Sequence, residues 1–154
     1  MVFMTAATII ALLVALFMKK RLTRKEIYVT WTTLSGLGIV TDLILGDVVD
    51  WIDIGPAPGI QLSDIVILST LPPAAGVIFL NFMPEKRTRF FAYLLFWAAS
   101  SVLFEWLSVR VHWLTYKGWS LWYSAPAYVL IFLFLRWHLS FLRSTDNRLV
   151  ADPL

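Results

Sequence analysis

The sequence predicts an all-α integral membrane protein, a single-domain bundle of five transmembrane helices. Of its 154 residues, 59% are hydrophobic and only 15% are charged, and the mean hydropathy is +0.74. Soluble domains are closer to about 45–50% apolar and about 25% charged. The apolar residues also form runs long enough to cross a bilayer. Composition and run length therefore favour membrane helices over a soluble helical domain with a large core.

Five apolar runs define the predicted spans. Positive charges follow the first run instead of preceding it, which is the reverse of a signal peptide, so we expect a retained helix. This first span is short, about 26 Å long as a helix, but sufficient for a thin crossing. The predicted spans are residues 2–18, 27–45, 64–83, 89–107 and 119–142, and residues 143–154 form a polar cytoplasmic tail.

Two segments interrupt the helical pattern. The glycines and prolines of residues 55–59 break any helix between the second and third spans. Within the third span, the prolines of residues 71–73 remove two backbone donors and disfavour helical geometry just before them. We expect a kink there, with the freed carbonyls near Leu68 and Ser69 bonded by the hydroxyls of Ser69 and Thr70.

The Lys and Arg residues are distributed asymmetrically across this topology. Eleven lie in the connections after the first and third spans or toward the C-terminal end, and two, Arg110 and Lys117, lie on the opposite side. The positive-inside rule then predicts an outside N-terminus and a cytoplasmic C-terminus, which five spans also require. Topology thus explains the net charge of +3. The expected partner is the lipid bilayer, and nucleic acid is excluded.

Three carboxylates in or beside the spans are the best pointers to function: Asp42, Asp64 and Glu105. An ionisable group in lipid costs at least about 2.5 kcal/mol, so each must face protein or water. Helix direction places all three near the outer leaflet. Asp64, or its neighbour Ser63, also fits a helix N-cap, where negative charge is favourable.

Asp42 and Glu105 each belong to a stripe of small and polar residues at helical spacing. Such faces pack against protein and not lipid. Arg110 and Lys117 are the candidate cationic partners, and His112 lies on the same side. The stripes are Trp31, Ser35, Gly38 and Asp42 in the second span, and Ala98, Ser101, Glu105 and Ser108 in the fourth.

These patterns predict an outward-opening pocket with an acidic floor and aromatic walls. Most tryptophans map to the outer end, as an interfacial belt does, but some would line the pocket. Carboxylates combined with aromatic faces suit a small cationic or amphipathic molecule, or an ion. The binding residues of this hypothesis are Asp42, Glu105, Trp106, Tyr116, Trp119 and Tyr123.

Motifs for catalysis and metal binding are missing from the sequence. There is no cysteine, no paired histidine spacing for zinc, no Gly-x-Ser-x-Gly and no phosphate-binding glycine loop. Asp47, Asp50 and Asp53 lack the twelve-residue calcium loop. We therefore expect no enzyme, metal or cofactor. The alternative function is a non-catalytic accessory subunit, whose small-residue stripes pack against partner membrane helices or a second copy.

Several short motifs occur together over residues 19–142. They are Asp42 at the end of the second span, residues 80–84 (LNFMP), residues 93–97 (YLLFW), Glu105-Trp106, and residues 116–119 (YKGW) followed by Tyr123-Ser124. As a set they resemble a group of small multi-pass membrane proteins of spore-forming Firmicutes, bacilli and clostridia, whose function is not established. The resemblance implies a location in the bacterial plasma membrane and carries over no catalytic residue.

Overall fold

The computed structural model describes residues 1–55 and 61–151, with side chains up to residue 145, and this part of the chain is mostly helical. The expected helix breakers at residues 56–59 lie outside the described residues. The elements in chain order are α1 Val2–Phe17, α2 Arg24–Asp42, a π-helical continuation of α2 at Leu43–Val48, β1 Ile52–Ile54, α3 Leu62–Leu68, α4 Leu71–Phe82, α5 Arg87–Arg110, β2 Leu114–Tyr116 and α6 Leu121–Ala151.

Four helical segments of the described chain are long and apolar enough to cross a membrane. They are Arg24–Val48, Leu62–Phe82, Arg87–Arg110 and Leu121–Thr145, and α1 is a shorter apolar helix. The structure therefore confirms a helical bundle with candidate membrane spans. The fifth span and the orientation of the termini stay predictions.

The bundle has two distinct ends. One end carries the antiparallel pairing of β1 with β2, in which Ile52 faces Tyr116, and we call it the sheet end. Met4 near the start of α1 packs there with Ile52 and Trp113. The opposite end, called the turn end, holds the connections from α1 to α2 and from α4 to α5, where Leu22 joins the main core. The helix α1 therefore lies along the full depth of the bundle.

Polar contacts tie the turn end together. The buried amide of Asn81 on α4 accepts a hydrogen bond from the Arg21 backbone N–H at 2.7 Å and donates to the Lys19 carbonyl at 3.0 Å. Asn81 thus fixes the connection between α1 and α2 and has no part in the candidate site. Because these backbone groups are bonded within the chain, the connection can pack against apolar helices.

A buried acid also joins the start of α2 to α6. Thr23 and Glu26 form a capping box, in which each side chain accepts a hydrogen bond from the other residue's backbone N–H. The other carboxylate oxygen of Glu26 accepts a hydrogen bond from Arg143 Nε at 2.6 Å. The Glu26 carboxylate therefore caps the start of α2 and also holds α6 against it. The charge pattern of the sequence did not single out this pair.

The prolines of the third predicted span break the helix and start a new one. The segment divides at Ser69–Thr70, and the prolines lie in the first turn of α4, where a missing N–H costs nothing. The Ser69 carbonyl accepts a hydrogen bond from Ser35 Oγ of α2 at 2.9 Å, while the Ser69 hydroxyl donates to Val66. The predicted kink is present, but the expectation that local hydroxyls bond the freed carbonyl is wrong.

The last two helices end later than the sequence predicts. The helix α5 continues to Arg110 and α6 continues to Ala151, beyond the predicted ends at residues 107 and 142. Most of the predicted polar tail is thus a continuation of α6. The two short strands were not predicted, because three residues are too few to show the alternation of apolar and polar side chains that indicates a strand.

Aromatic packing fills the centre of the bundle. Phe79 of α4 is fully buried and contacts the rings of Tyr93, Trp97 and Phe132, with centroids 4.5–5.8 Å apart. Close approach of α2 and α4 depends on Gly76, because a Cβ there would clash with Leu34 Cδ1.

We expect Gly76→Ala to destabilise the protein by about 1–3 kcal/mol, because the added methyl overpacks the contact between α2 and α4. Gly36→Ala is the matched control, since nothing lies within 4 Å of a Cβ at that helical glycine. Denaturant titration in detergent micelles measures both variants. Equal stability of the two variants would contradict the packing described.

Candidate functional site

The carboxylate of Glu105 is the centre of a hydrogen-bond network at the sheet end. Its side chain is only 8% exposed. Oε1 accepts hydrogen bonds from Tyr116 at 2.5 Å and from Ser124 at 2.6 Å, and Oε2 accepts one from Tyr128 at 2.8 Å. Trp119 Nε1 extends the network by donating to Ser124 Oγ at 2.7 Å. We call these five residues the Glu105 network.

Three elements contribute to this network. Glu105 comes from the protein-facing side of α5, where Ala98 and Ser108 are also buried, as the predicted stripe requires. Tyr116 ends β2. Ser124 and Tyr128 lie four residues apart on α6, and side chains at this spacing lie on the same helical face. The network therefore links α5, α6 and the small sheet.

Of the six predicted binding residues, the structure brings three into this network: Glu105, Tyr116 and Trp119. Sequence reasoning missed Ser124 and Tyr128 as partners. The four-residue spacing of these two hydroxyls was the available signal, because it places both on one helical face. The sequence alone did not indicate that this face packs against Glu105.

The two other aromatic residues lie nearer the surface. Tyr123 is mostly exposed and its ring makes a T-shaped contact with Trp119, 5.6 Å between centroids. The ring of Trp51 also packs against Trp119, with 6.0 Å between the centroids. Trp106 is partly exposed and contacts the guanidinium of Arg110 at 5.0 Å. Trp119 therefore connects the network to an aromatic surface, while Trp106 lies outside it.

The segment between Tyr116 and Trp119 is held by one carbonyl. The Trp51 carbonyl accepts hydrogen bonds from the backbone N–H groups of Lys117, Gly118 and Trp119, at 2.8, 3.1 and 3.3 Å. Gly118 is required for this approach, since a Cβ there would lie 2.7 Å from Trp51 Cδ1. This clamp sets the positions of the tyrosine and the indole that bond the network.

Lys117 strengthens the same clamp from the solvent side. Its ammonium forms ion pairs with Asp50 at 2.6 Å and Asp53 at 3.0 Å, and hydrogen bonding to these acids raises the pKa of Lys117. The expectation that Lys117 or Arg110 pairs with a buried acid is wrong. Each has a partner close along the surface, where a cation keeps its hydration.

Asp42 lies apart from the Glu105 network. The residue is 9% exposed, and its oxygens are not among the fully buried side-chain atoms that lack a hydrogen-bond partner in the described part of the chain. The acids that act on it electrostatically are Asp47 and Asp64. The structure therefore brings Asp42 toward other carboxylates but joins it to Glu105 by no direct contact.

Asp64 caps a helix, although its position differs from the prediction. It is the third residue of α3, and its Oδ2 accepts a hydrogen bond at 3.1 Å from the backbone N–H of Gln61, the N-cap residue. Asp64 is 1% exposed. The capping role is confirmed, but neither Asp64 nor Ser63 is the N-cap itself.

The described residues form an open, mainly apolar groove of about 480 Å³ between α1 and α3. None of the six predicted binding residues lines it. Among the side chains of residues 1–55 and 61–145, no three from histidine or acidic residues form a group that could hold a metal ion.

Comparisons with protein-family models, with curated proteins and with solved structures found no match for this chain. The candidate site is therefore defined by its geometry.

The Tyr116 hydroxyl gives the network a measurable pH dependence. Burial, and then the hydrogen bond to Glu105, raise the pKa of Tyr116 above its usual value of about 10. Its stabilising bond is therefore complete at neutral pH and is lost only as the pH rises through the elevated pKa. We expect the tyrosinate absorbance that is lost in Tyr116→Phe to titrate above pH 10, and at lower pH in Glu105→Gln. Titration of Tyr116 at the usual tyrosine value would contradict the contact.

Proposed function

We propose that this chain is a multi-pass protein of the bacterial plasma membrane that binds a small cationic or amphipathic molecule at its outer end, with Glu105 as the anionic centre. The topology proposed is five spans with the N-terminus outside and the C-terminus cytoplasmic, so that the sheet end faces outward. The basic residues near the turn end, including Lys19 and Arg143, support this orientation.

The observation that carries the proposal is a buried carboxylate without a cation. At the turn end, Glu26 is buried and has Arg143 as its partner. At the sheet end, Glu105 is equally enclosed, but within the described residues its partners are all neutral hydroxyls. Hydroxyl donors stabilise a negative charge without cancelling it. The remaining charge attracts a positive group far more strongly there than in water.

The aromatic residues next to the network provide a surface for such a ligand. Trp119 contacts the rings of Trp51 and Tyr123 and is bonded through Ser124 to Glu105. A cation over an indole or phenol face gains about 0.5–2 kcal/mol, and the apolar part of an amphipathic molecule gains from contact with the same rings. The ligand would thus contact the rings while its charge is directed toward Glu105.

The alternative, an accessory subunit, loses part of its support. Its stripes of small residues contact this chain's own helices: Ser35 bonds to Ser69, Gly38 lies against the Leu68 carbonyl, and Ala98 is buried in the main core. A homo-oligomer or a membrane partner would therefore need another surface. Both stay predictions.

Direct binding of tetraphenylphosphonium, a permanent organic cation with a large apolar surface, tests the proposal. We expect the purified full chain in lipid nanodiscs to bind it saturably, and Glu105→Gln to bind about tenfold more weakly, because the ligand loses its opposite charge. Asp47→Asn is the matched control. It removes the same charge from an exposed residue at the same end, so binding should stay within about twofold.

A second variant keeps the test valid if Glu105→Gln disturbs the fold. Tyr123→Ala removes an aromatic face and touches none of the Glu105 hydrogen bonds, so it should weaken binding several-fold without loss of stability. The proposal fails if both folded variants bind the cation as the natural chain does, or if Asp47→Asn weakens binding equally.

A further inference from the structure

Arg136 is a cation inside the last candidate span that has no acidic partner among the described residues. It lies on α6 within the apolar segment Leu121–Thr145, and it is partly exposed, so a group outside the chain can reach it. Arg143, two turns further along α6, is paired with Glu26, whereas no ion pair or hydrogen bond of the described side chains reaches Arg136. A charged side chain in a span is costly and marks a candidate functional contact.

The ring of Phe90 on α5 holds the Arg136 guanidinium in place. The guanidinium carbon lies over this ring, 3.9 Å from its centroid, and Phe90 is itself fully buried. The ring attracts the cation through its π electrons but offers no oxygen lone pair. The five N–H donors of the guanidinium therefore still need an acceptor. The contact with Phe90 thus positions Arg136 without satisfying its hydrogen-bonding groups.

The depth of this contact matches the polar boundary of a bilayer. Phe90 is the fourth residue of α5, so the guanidinium lies level with the first turn of that candidate span, about 5 Å inside its end. The acid of the same connection, Glu85, is exposed. Three further cations at this end of α5 are also exposed: Lys86, Arg87 and Arg89. The charge around Arg136 at the turn end is therefore mainly positive.

Apolar side chains next to Arg136 are open to the outside of the bundle. The ring of Phe91 is in contact with Phe90, 6.1 Å between centroids, and Phe91 is 54% exposed. Leu133, one turn deeper on α6 than Arg136, is also exposed. A small soluble anion would meet the charge of Arg136 and leave these apolar residues uncovered. A matching ligand therefore combines an anionic group with a hydrocarbon part.

We propose that Arg136 binds the phosphate group of an anionic phospholipid, whose acyl chains lie against Phe91 and Leu133. A guanidinium can donate two parallel N–H bonds to one phosphate, which gives the contact its specificity. The exposed cations at the start of α5 attract the same negative charge, as basic residues beside a span do at an anionic membrane surface. The proposal goes beyond the ligand site at Glu105, which lies at the opposite end of the bundle. It rests on the proposed location of the chain in a bilayer.

Native mass spectrometry of the full chain released from detergent micelles tests the proposal by counting bound lipids. We expect phosphatidylglycerol to be retained in preference to phosphatidylcholine with the same acyl chains. Arg136→Gln should bind phosphatidylglycerol about fivefold more weakly. Arg110→Gln is the matched control, because Arg110 also lies over an aromatic ring, that of Trp106, but at the sheet end. This control should bind the lipid as the natural chain does. Glu105→Gln should also retain it, which separates this test from that of the ligand site.

A second variant distinguishes a phosphate site from a general attraction between charges, and it decides the question if Arg136→Gln does not fold. Arg136→Lys keeps the positive charge but loses the planar pair of donors, so phosphatidylglycerol binding should still weaken. The proposal fails if either folded variant binds the lipid as the natural chain does, or if Arg110→Gln weakens binding equally. Displacement of the bound lipid by inorganic phosphate would also overturn it, since the site would then need no acyl chain.

Discussion

The hydrogen bonds donated to the Glu105 carboxylate by Tyr116, Ser124 and Tyr128 hold the sheet end of this protein together. The buried carboxylate needs all three hydroxyls, because a buried polar group left without a partner is costly. The bonds from Ser124 and Tyr128 hold α6 against α5, and the bond from Tyr116 holds the end of β2 against α5. Through Trp119, the network also connects the buried charge to an aromatic surface.

Hydrogen bonds that buried polar groups form within the chain explain much of the remaining architecture. Asn81 bonds the α1–α2 connection, Ser35 bonds a carbonyl at the helix break, and Glu26 combines a helix cap with an ion pair to Arg143. Each of these contacts joins two elements distant in the sequence. Three buried polar atoms of the described residues depart from the pattern and have no hydrogen-bond partner: Thr30 Oγ1, Trp113 Nε1 and His138 Nε2.

The sequence predicted most of the helical framework, because long apolar runs and the Pro72-Pro73 break have strong, local physical signals. The same is true of the stripe that buries Glu105. Partners were harder to predict. The contact of Glu105 with Tyr128 depends on packing between distant segments. So do the ion pairs of Lys117 with Asp50, before β1, and with Asp53, within it. Periodicity shows which face of a helix is buried, but not what lies opposite.

A double-mutant cycle between Glu105→Gln and Tyr128→Phe tests the central role of the Glu105 network most directly. Unfolding free energies in one detergent should give a coupling of about 1–2 kcal/mol, since the two groups bond directly. Pairing Glu105→Gln with Tyr93→Phe, whose hydroxyl bonds the Phe79 carbonyl instead, should give additive effects. Additivity of the Glu105 and Tyr128 variants would contradict the account, because the carboxylate would then not hold α6 in place.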